Sequence, residues 1–264
     1  MSALDGFEPE ELEAEGLRFR VWRAGVGPAV VVMPEVPGMT PDVMRFARRV
    51  ADRGYAVWVT ELFGVPGEPR SACSTLRTLG GVCVSREFSL FARGRSSPVV
   101  RWLRAVCRRA HAACGGPGVG AIGMCLTGNF ALSLMVEEAV IAPVLSQPSL
   151  PLPLTPGHAA DLALSADELA VVRRRAAAGI GVLGLRFTHD RLVPAARFRR
   201  LREELGAGFE GVEIGSGPGN PHGVPRLAHS VVTHDLVDVE GHPTRAALDR
   251  VLAFFDERLK PAPA

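Results

Sequence analysis

The sequence predicts an α/β fold, in which a mostly parallel sheet is covered by helices on both faces. Apolar, β-branched runs alternate with amphipathic helical patterns along nearly all of the 264 residues. Strands that are apolar throughout are buried on both sides, as are parallel strands joined by crossover helices. The chain contains no internal repeat, low-complexity tract or linker-like break. We therefore expect a single domain spanning residues 1–264.

Each strand is predicted where an apolar run occurs, and each helix where apolar residues recur at three- and four-residue spacing. The predicted strands lie at 16–24, 29–34, 55–62, 118–124, 140–148, 179–187 and 208–215. The predicted helices lie at 41–54, 97–113, 126–139, 167–177, 194–206 and 244–259. A capping box, S-A-D-E at 165–168, and the pair Ser97-Pro98 indicate two helix starts, and Gly54 indicates a helix end. Residues 64–97 carry little regular pattern, and we expect short helices or a flap over the site there.

Composition argues against several classes of partner. The apolar fraction of 47% and the charged fraction of 22% are those of a soluble globular protein. The formal net charge of +2 favours neither a nucleic acid nor a membrane surface as partner. The N-terminal segment is acidic and lacks an apolar signal-peptide core, and the apolar stretch at 119–136 is interrupted and short for a membrane span. We therefore expect a cytoplasmic protein.

The five cysteines, at positions 73, 83, 107, 114 and 125, form no C-x-x-C pair. Zinc and thioredoxin-like sites usually need that spacing, so neither is predicted. An odd count in a cytoplasmic chain favours free thiols over disulfides. Nothing in the sequence requires a metal or an organic cofactor.

Cys125 occupies the turn between a predicted strand and a predicted helix. The small neighbour Gly123 suits a nucleophile elbow, a sharp strand-to-helix turn that needs close backbone approach. Such a turn directs backbone N–H groups toward the nucleophile, which favours a thiolate and can hold an oxyanion. A cysteine also suits a tight turn simply as a small buried residue. The turn alone therefore leaves both interpretations open.

Two later strand ends carry the side chains that such a nucleophile needs. Asp190 follows the strand at 179–187, where it could orient an imidazole, cap the next helix or pair with Arg191. The loop after the last strand contains three candidate histidines, at positions 222, 229 and 234. The chain order of nucleophile, acid and histidine is that of α/β-hydrolases, and ligands of such sheets bind at the carboxyl ends of the strands. This order favours the catalytic interpretation of Cys125.

Several segments then resemble the dienelactone hydrolase family of α/β-hydrolases. The hexapeptide G-M-C-L-T-G at 123–128 is similar to the G-x-C-x-G-G elbow of that family. The segment T-H-D-R-L-V-P resembles its late-strand segment, which assigns the acid to Asp190. The segment A-H-S-V-V-T resembles its histidine segment, which favours His229 over its two neighbours. The resemblance covers most of the chain, from the strand at 29–34 to the last helix.

The same resemblance assigns a role to Glu35. Without it, Glu35 would be interpreted as a loop carboxylate that caps the helix at 41–54. It implies that Glu35 contacts the thiol and helps to generate the thiolate. It also implies an oxyanion hole made by the backbone N–H groups of Val36 and Leu126. Two departures stand out: Thr127 replaces a glycine of the elbow, and the arginines that bind a substrate carboxylate have no clear counterpart. Arg86 is the nearest candidate for that binding.

These observations predict a hydrolase that cleaves a small-molecule carboxylic ester or lactone through Cys125, His229 and Asp190, with a thioester intermediate. The sequence does not define an oligomeric state. An alternative is a hydrolase-fold protein that binds a ligand or senses redox state without turnover, because folds host many functions. A weaker alternative is a thiol relay formed by Cys73, Cys83 and Cys125.

Overall fold

The computed structural model describes residues 2–84, 97–150 and 159–260, with the backbone alone at 82–84. Eight strands form a single sheet. They are β1 (Glu8–Ala14), β2 (Leu17–Ala24), β3 (Ala29–Met33), β4 (Ala56–Glu61), β5 (Val119–Met124), β6 (Val140–Ser146), β7 (Val182–Phe187) and β8 (Phe209–Ile214). Their order across the sheet is β1-β2-β4-β3-β5-β6-β7-β8. The pairs β1–β2 and β2–β4 are antiparallel, and every later pair is parallel.

Helices pack on both faces of this sheet, as the apolar strands predict. They are α1 (Pro41–Asp52), α2 (Ala72–Val84), α3 (Pro98–Cys114), α4 (Gly128–Leu134), α5 (Ala166–Ala177), α6 (Ala195–Leu205) and α7 (Pro243–Leu259). One apolar core lies between the sheet and α3, α4, α5 and α6, and the other lies between the sheet and α1 and α7. In β3, for example, Val31 and Met33 join the first core, whereas Val30 and Val32 join the second. This alternation is what burial on both faces requires.

The N-terminal strand β1 is an element that the sequence did not predict. Its sequence, EPEELEA, is acidic and mostly exposed, so it lacks the apolar pattern of the other strands. The contacts that order it come from other parts of the chain. Arg18 and Arg23 of β2 pair across the hairpin with Glu13 and Glu10, at 2.6 and 2.8 Å. The buried Trp102 Nε1 of α3 donates to Leu12 O at 2.9 Å.

Two other segments can be compared with their predicted form. The helix expected at 126–139 is shorter, because a 3-10 turn at Cys125–Thr127 precedes α4. Within 64–97, where short helices or a flap were expected, α2 forms a helix, and Thr78 Oγ1 donates to Pro37 O at 3.3 Å beside the end of β3. Arg86 and the side chain of Cys83 lie outside the described residues.

In the part of the chain that the structure describes, no helix is long and apolar enough to cross a membrane. Within the same residues, no group of three or more His, Cys, Asp and Glu side chains could hold a metal ion.

The capping box predicted before α5 is present. Ser165 Oγ accepts from Glu168 N at 3.2 Å, and the Glu168 carboxylate accepts from Ser165 N at 3.1 Å. We expect Ser165→Ala to lower the free energy of unfolding by about 1 kcal/mol, because one helix N–H loses its acceptor. Urea unfolding measures this difference, and Ser165→Asp, which preserves a side-chain acceptor, serves as the control. Equal midpoints for Ser165→Ala and Ser165→Asp would contradict a capping role.

Candidate active site

Five neighbouring parallel strands, β3, β5, β6, β7 and β8, bring polar residues to one edge of the sheet. Glu35 follows β3, Cys125 follows β5, Ser149 follows β6, Asp190 follows β7, and His229 lies in the loop between β8 and α7. Because these strands are parallel and adjacent, their carboxyl ends meet. The residues that the sequence separates widely therefore come together, with Ser149 as an additional member.

The turn at Cys125 is a sharp elbow with a left-handed backbone, since Cys125 has a φ of 57°. A residue other than glycine seldom adopts this conformation, and such residues are concentrated at functional sites. Close backbone approach explains the glycines around it. A Cβ atom at position 123 would lie 1.9 Å from Thr127 O, and one at position 128 would lie 2.7 Å from Pro148 Cα. The elbow thus needs Gly123 and Gly128 for steric reasons.

His229 and Asp190 form a direct pair at this edge. His229 Nδ1 lies 2.6 Å from Asp190 Oδ2, and Asp190 Oδ1 accepts from Leu192 N at 2.9 Å. The histidine backbone is also fixed, because Asp235 Oδ2 accepts from the N–H groups of both His229 and Ser230 at 2.8 Å. Sequence reasoning missed Asp235, although an Asp shortly after a loop histidine is a common local acceptor. The remaining ring nitrogen, Nε2, has no hydrogen-bond partner among the described residues.

The surroundings of His229 favour its protonated form. Burial lowers the pKa of the imidazole, but the negative charge of the Cys125 sulfur and the hydrogen bond to Asp190 outweigh burial. The pKa of His229 therefore lies well above its ordinary value. A protonated imidazole is the partner that a thiolate–imidazolium pair requires.

The other histidines of this region have partners elsewhere. His189 is exposed beside Asp190, and its ring lies 3.3 Å from Thr188 Oγ1. His234 is exposed and lies 3.4 Å from Asp42. His222 packs edge-on against His242, with ring centroids 5.7 Å apart. Of the three loop histidines left open by the sequence, His229 is the one that contacts Asp190.

Glu35 lies at the end of β3, at the same edge of the sheet. Its carboxylate is buried and accepts three hydrogen bonds, from Gln147 Nε2 at 3.1 Å, from Ser230 Oγ at 2.6 Å and from Thr233 Oγ1. The Cys125 sulfur is not among these partners of Glu35 in the described part of the chain. Glu35 instead connects the end of β3 to the loop that carries His229.

The thiol has a different partner, which the sequence did not indicate. Cys125 Sγ lies 3.1 Å from Ser149 Oγ, and Ser149 is buried at the end of the segment that follows β6. The expected oxyanion donors stand at two adjacent strand ends, Val36 after β3 and Leu126 directly after the nucleophile. An arginine also reaches this edge, since Arg70 donates to Ser230 Oγ at 3.1 Å from the segment before α2.

A family model matches most of the chain. The model of the dienelactone hydrolase family covers residues 19–259. The chain belongs to the dienelactone hydrolase family. It is accordingly a carboxylic ester hydrolase. Among curated proteins, no relative matches the sequence.

Solved structures related to this dienelactone hydrolase family member share its fold at low sequence identity. The dienelactone hydrolase of Anabaena variabilis is 16% identical, with 96% of this chain and 98% of that chain covered and a TM-score of 0.60. A dienelactone hydrolase-like promiscuous phosphotriesterase from metagenomic libraries is 21% identical, with 96% and 99% covered and a TM-score of 0.59. A cold-adapted esterase from an Arctic intertidal metagenomic library is 13% identical, with 96% and 94% covered and a TM-score of 0.58.

The structure shows how this family member accommodates Thr127 where the elbow pattern has glycine. The side chain is fully buried, and its Oγ1 accepts from Met124 N at 2.8 Å. The hydroxyl hydrogen has three carbonyl acceptors within reach, of which Met33 O at the end of β3 is the nearest, at 2.8 Å. Thr127 therefore links the elbow after β5 to the strand that leads into Glu35 and Val36.

We expect Thr127→Val to reduce both stability and ester turnover, because the isosteric side chain cannot make the buried hydrogen bonds to Met124 N and Met33 O. The loss of unfolding free energy should be about 1–3 kcal/mol. Thr127→Ser retains the hydroxyl and should remain close to the wild type. Urea unfolding and kcat/KM on an activated ester measure the two effects. If the valine and serine variants behave alike, the hydroxyl does not link the two strands.

Asp190→Asn should lower the pKa of His229, because the charged hydrogen-bond partner that raises the pKa is removed. We expect the titration midpoint of the imidazole to fall. Titration of the His229 ring signals by NMR measures the change. Asp42→Asn is the matched control, since Asp42 faces the exposed His234 and should leave the His229 midpoint in place. An unchanged midpoint in Asp190→Asn would rule out Asp190 as the orienting acid.

Proposed function

We propose that the chain hydrolyses a carboxylic ester or lactone with Cys125 as nucleophile, His229 as general acid and base, and Asp190 as the acid that orients His229. One observation carries this proposal. Cys125 sits in a left-handed elbow next to an imidazole whose other nitrogen is hydrogen-bonded to a carboxylate at 2.6 Å. Nucleophile, base and orienting acid in that relation are the recurring arrangement for acyl transfer.

In the first half-reaction, the proton of Cys125 passes to His229 Nε2, and the sulfur attacks the carbonyl carbon. The carbon–oxygen bond to the leaving alcohol breaks, and His229 gives its proton to that oxygen. The acyl group remains on Cys125 as a thioester. For a lactone, the alcohol stays attached to the acyl group, so the ring opens without a separate product leaving.

In the second half-reaction, His229 Nε2 accepts a proton from water, and the resulting hydroxide attacks the thioester carbon. The carbon–sulfur bond breaks, the carboxylic acid is released, and Cys125 regains its proton. Asp190 remains ionised throughout and holds the imidazole with Nε2 directed toward the reacting atoms. Nε2 is the ring nitrogen that does not contact Asp190, so it is the one that can exchange a proton with the thiol, the substrate or water.

The negative oxygen that forms in each half-reaction needs hydrogen-bond donors. We assign the backbone N–H groups of Val36 and Leu126 to this role, since they lie at the adjacent ends of β3 and β5. In comparable sites one such donor stabilises the transition state by about 3–4 kcal/mol. The link from Thr127 to Met33 O supports this assignment, because it holds the two donors in fixed relation.

Cys125→Ala should abolish turnover of a panel of activated esters and lactones, with kcat/KM reduced by about 10⁴-fold or more. Cys125→Ser should retain a fraction of the activity, because His229 can also activate a hydroxyl. Mass spectrometry of the wild type, quenched during turnover, should find the acyl group on the peptide that contains Cys125. Cys114→Ala, the same substitution at a thiol of α3, is the control and should keep wild-type kinetics.

Alkylation separates this enzyme from a thiol sensor. A hydrolase of this type has one thiol that reacts rapidly at neutral pH, and blocking it stops ester cleavage. Cys107 serves as an internal reference for slow reaction, since complete burial raises the pKa of its thiol. Ester cleavage that survives full alkylation of Cys125, or persists in Cys125→Ala, would refute the proposed mechanism.

A further inference from the structure

The contact between Cys125 and Ser149 has no role in the proposed hydrolysis by Cys125, His229 and Asp190. Ser149 Oγ lies 3.1 Å from the sulfur that makes the nucleophilic attack. We propose that Ser149 is a further catalytic residue, whose hydroxyl donates a hydrogen bond to Cys125 Sγ and stabilises the thiolate before attack. This inference rests on the proposed function, in which Cys125 is the nucleophile.

The position of Ser149 is held by both of its backbone polar groups. Ser149 N donates to Cys125 O at 2.9 Å, and Asn129 Nδ2 donates to Ser149 O at 2.7 Å. Both partners belong to the elbow or to the helix that starts there, and Asn129 is itself buried. The hydroxyl and the sulfur are therefore carried by one hydrogen-bonded unit, and their proximity does not depend on a freely moving loop.

The residue before Ser149 is fixed as well. Arg197 is fully buried, and its guanidinium donates to Pro148 O at 2.7 Å. On the other side, Gly128 lets the Pro148 backbone approach α4, because any side chain there would meet Pro148 Cα at 2.7 Å. The hydrogen bond from Arg197 and the close contact with Gly128 thus fix the position of Pro148. The next residue, Ser149, is thereby held with its side chain next to the thiol.

A serine hydroxyl suits both protonation states of this thiol. It can accept from the neutral S–H group and, after rotation, donate to the ionised sulfur, which is an acceptor only. Hydrogen bonds to an ionised partner are about twice as strong as those between neutral groups. The contact therefore favours the thiolate over the thiol. Among the described residues, Cys125 Sγ is the hydrogen-bond partner of the Ser149 hydroxyl.

Ser149 also differs in kind from the charged groups that face the sulfur. Among the described residues these are His229, after β8, with Asp190 behind it, after β7. Glu35 comes from the end of β3, but its carboxylate is bonded to Gln147, Ser230 and Thr233. Ser149 follows β6, and its hydroxyl is neutral at every pH of interest. It therefore supplies a hydrogen bond without adding a titrating charge.

The test measures the rate at which iodoacetamide alkylates Cys125 as a function of pH, followed on the Cys125 peptide by mass spectrometry. In Ser149→Ala we expect the midpoint of this profile to rise by about 1 pH unit, as loss of one hydrogen bond to a charged group implies. At pH values below both midpoints, the alkylation rate should fall about tenfold. Ser149→Thr restores a hydroxyl and should restore the wild-type midpoint.

The matched control is Ser133→Ala. Ser133 is a buried serine of α4, the helix that starts at the elbow, and its hydroxyl has no hydrogen-bond partner among the described residues. This variant loses one buried hydroxyl without touching the sulfur and should keep the wild-type profile. If Ser149→Ala does not fold, Ser149→Thr and Ser149→Val provide a pair of equal shape that differs in the hydroxyl.

The outcomes separate this inference from the proposed function. Turnover that persists in Cys125→Ala refutes the proposed function itself. If turnover depends on Cys125 but Ser149→Ala, or the valine variant, keeps or lowers the wild-type midpoint, the nucleophile stands and the role of Ser149 is refuted. An upward shift in Ser149→Ala that Ser149→Thr reverses, with Ser133→Ala unchanged, supports donation from the Ser149 hydroxyl to the thiolate.

Discussion

The left-handed backbone at Cys125 is the constraint on which the site depends. An L-residue in this conformation costs about 1–2 kcal/mol, and the surrounding structure has to supply that energy. Here the Thr127 hydroxyl bonds to both Met124 and Met33, and Ser149 N bonds to the Cys125 carbonyl. Each of these contacts also positions a neighbour of the nucleophile. The interactions that hold the strained turn are therefore those that place it against the ends of β3 and β6.

Glu35 shows how a buried carboxylate is stabilised at this edge of the sheet. A buried carboxylate is tolerated only when its oxygens are hydrogen-bonded, and three donors meet that need here. Two of the donors, Ser230 and Thr233, flank the turn that follows His229. The third, Gln147, lies two residues before Ser149. Glu35 thereby connects the histidine loop, the end of β3 and the segment after β6.

The sequence predicted those features whose cause is local or periodic. Patterns within short windows predict the buried strands, the capped helices and the elbow glycine. The order of Cys125, Asp190 and His229 along the chain then favours the catalytic interpretation. By contrast, β1 depends on Trp102 and on arginines of β2, and its own sequence lacks a strand pattern. The contact of Ser149 with the thiol forms where two segments meet after folding, and the local sequence S-Q-P-S at 146–149 does not predict it. The partners of Glu35 are remote in the chain for the same reason.

The two outer strands of the sheet also determine how the molecule meets its surroundings. An edge strand has unpaired backbone groups, which invite another chain to extend the sheet. In this protein, β1 carries Pro9 and four glutamates, and β8 carries Glu210 and Glu213, which pair with Arg250 and Arg202. Proline and charge at an edge both oppose strand addition. The composition of both edge strands thus disfavours growth of the sheet by addition of a strand from another chain.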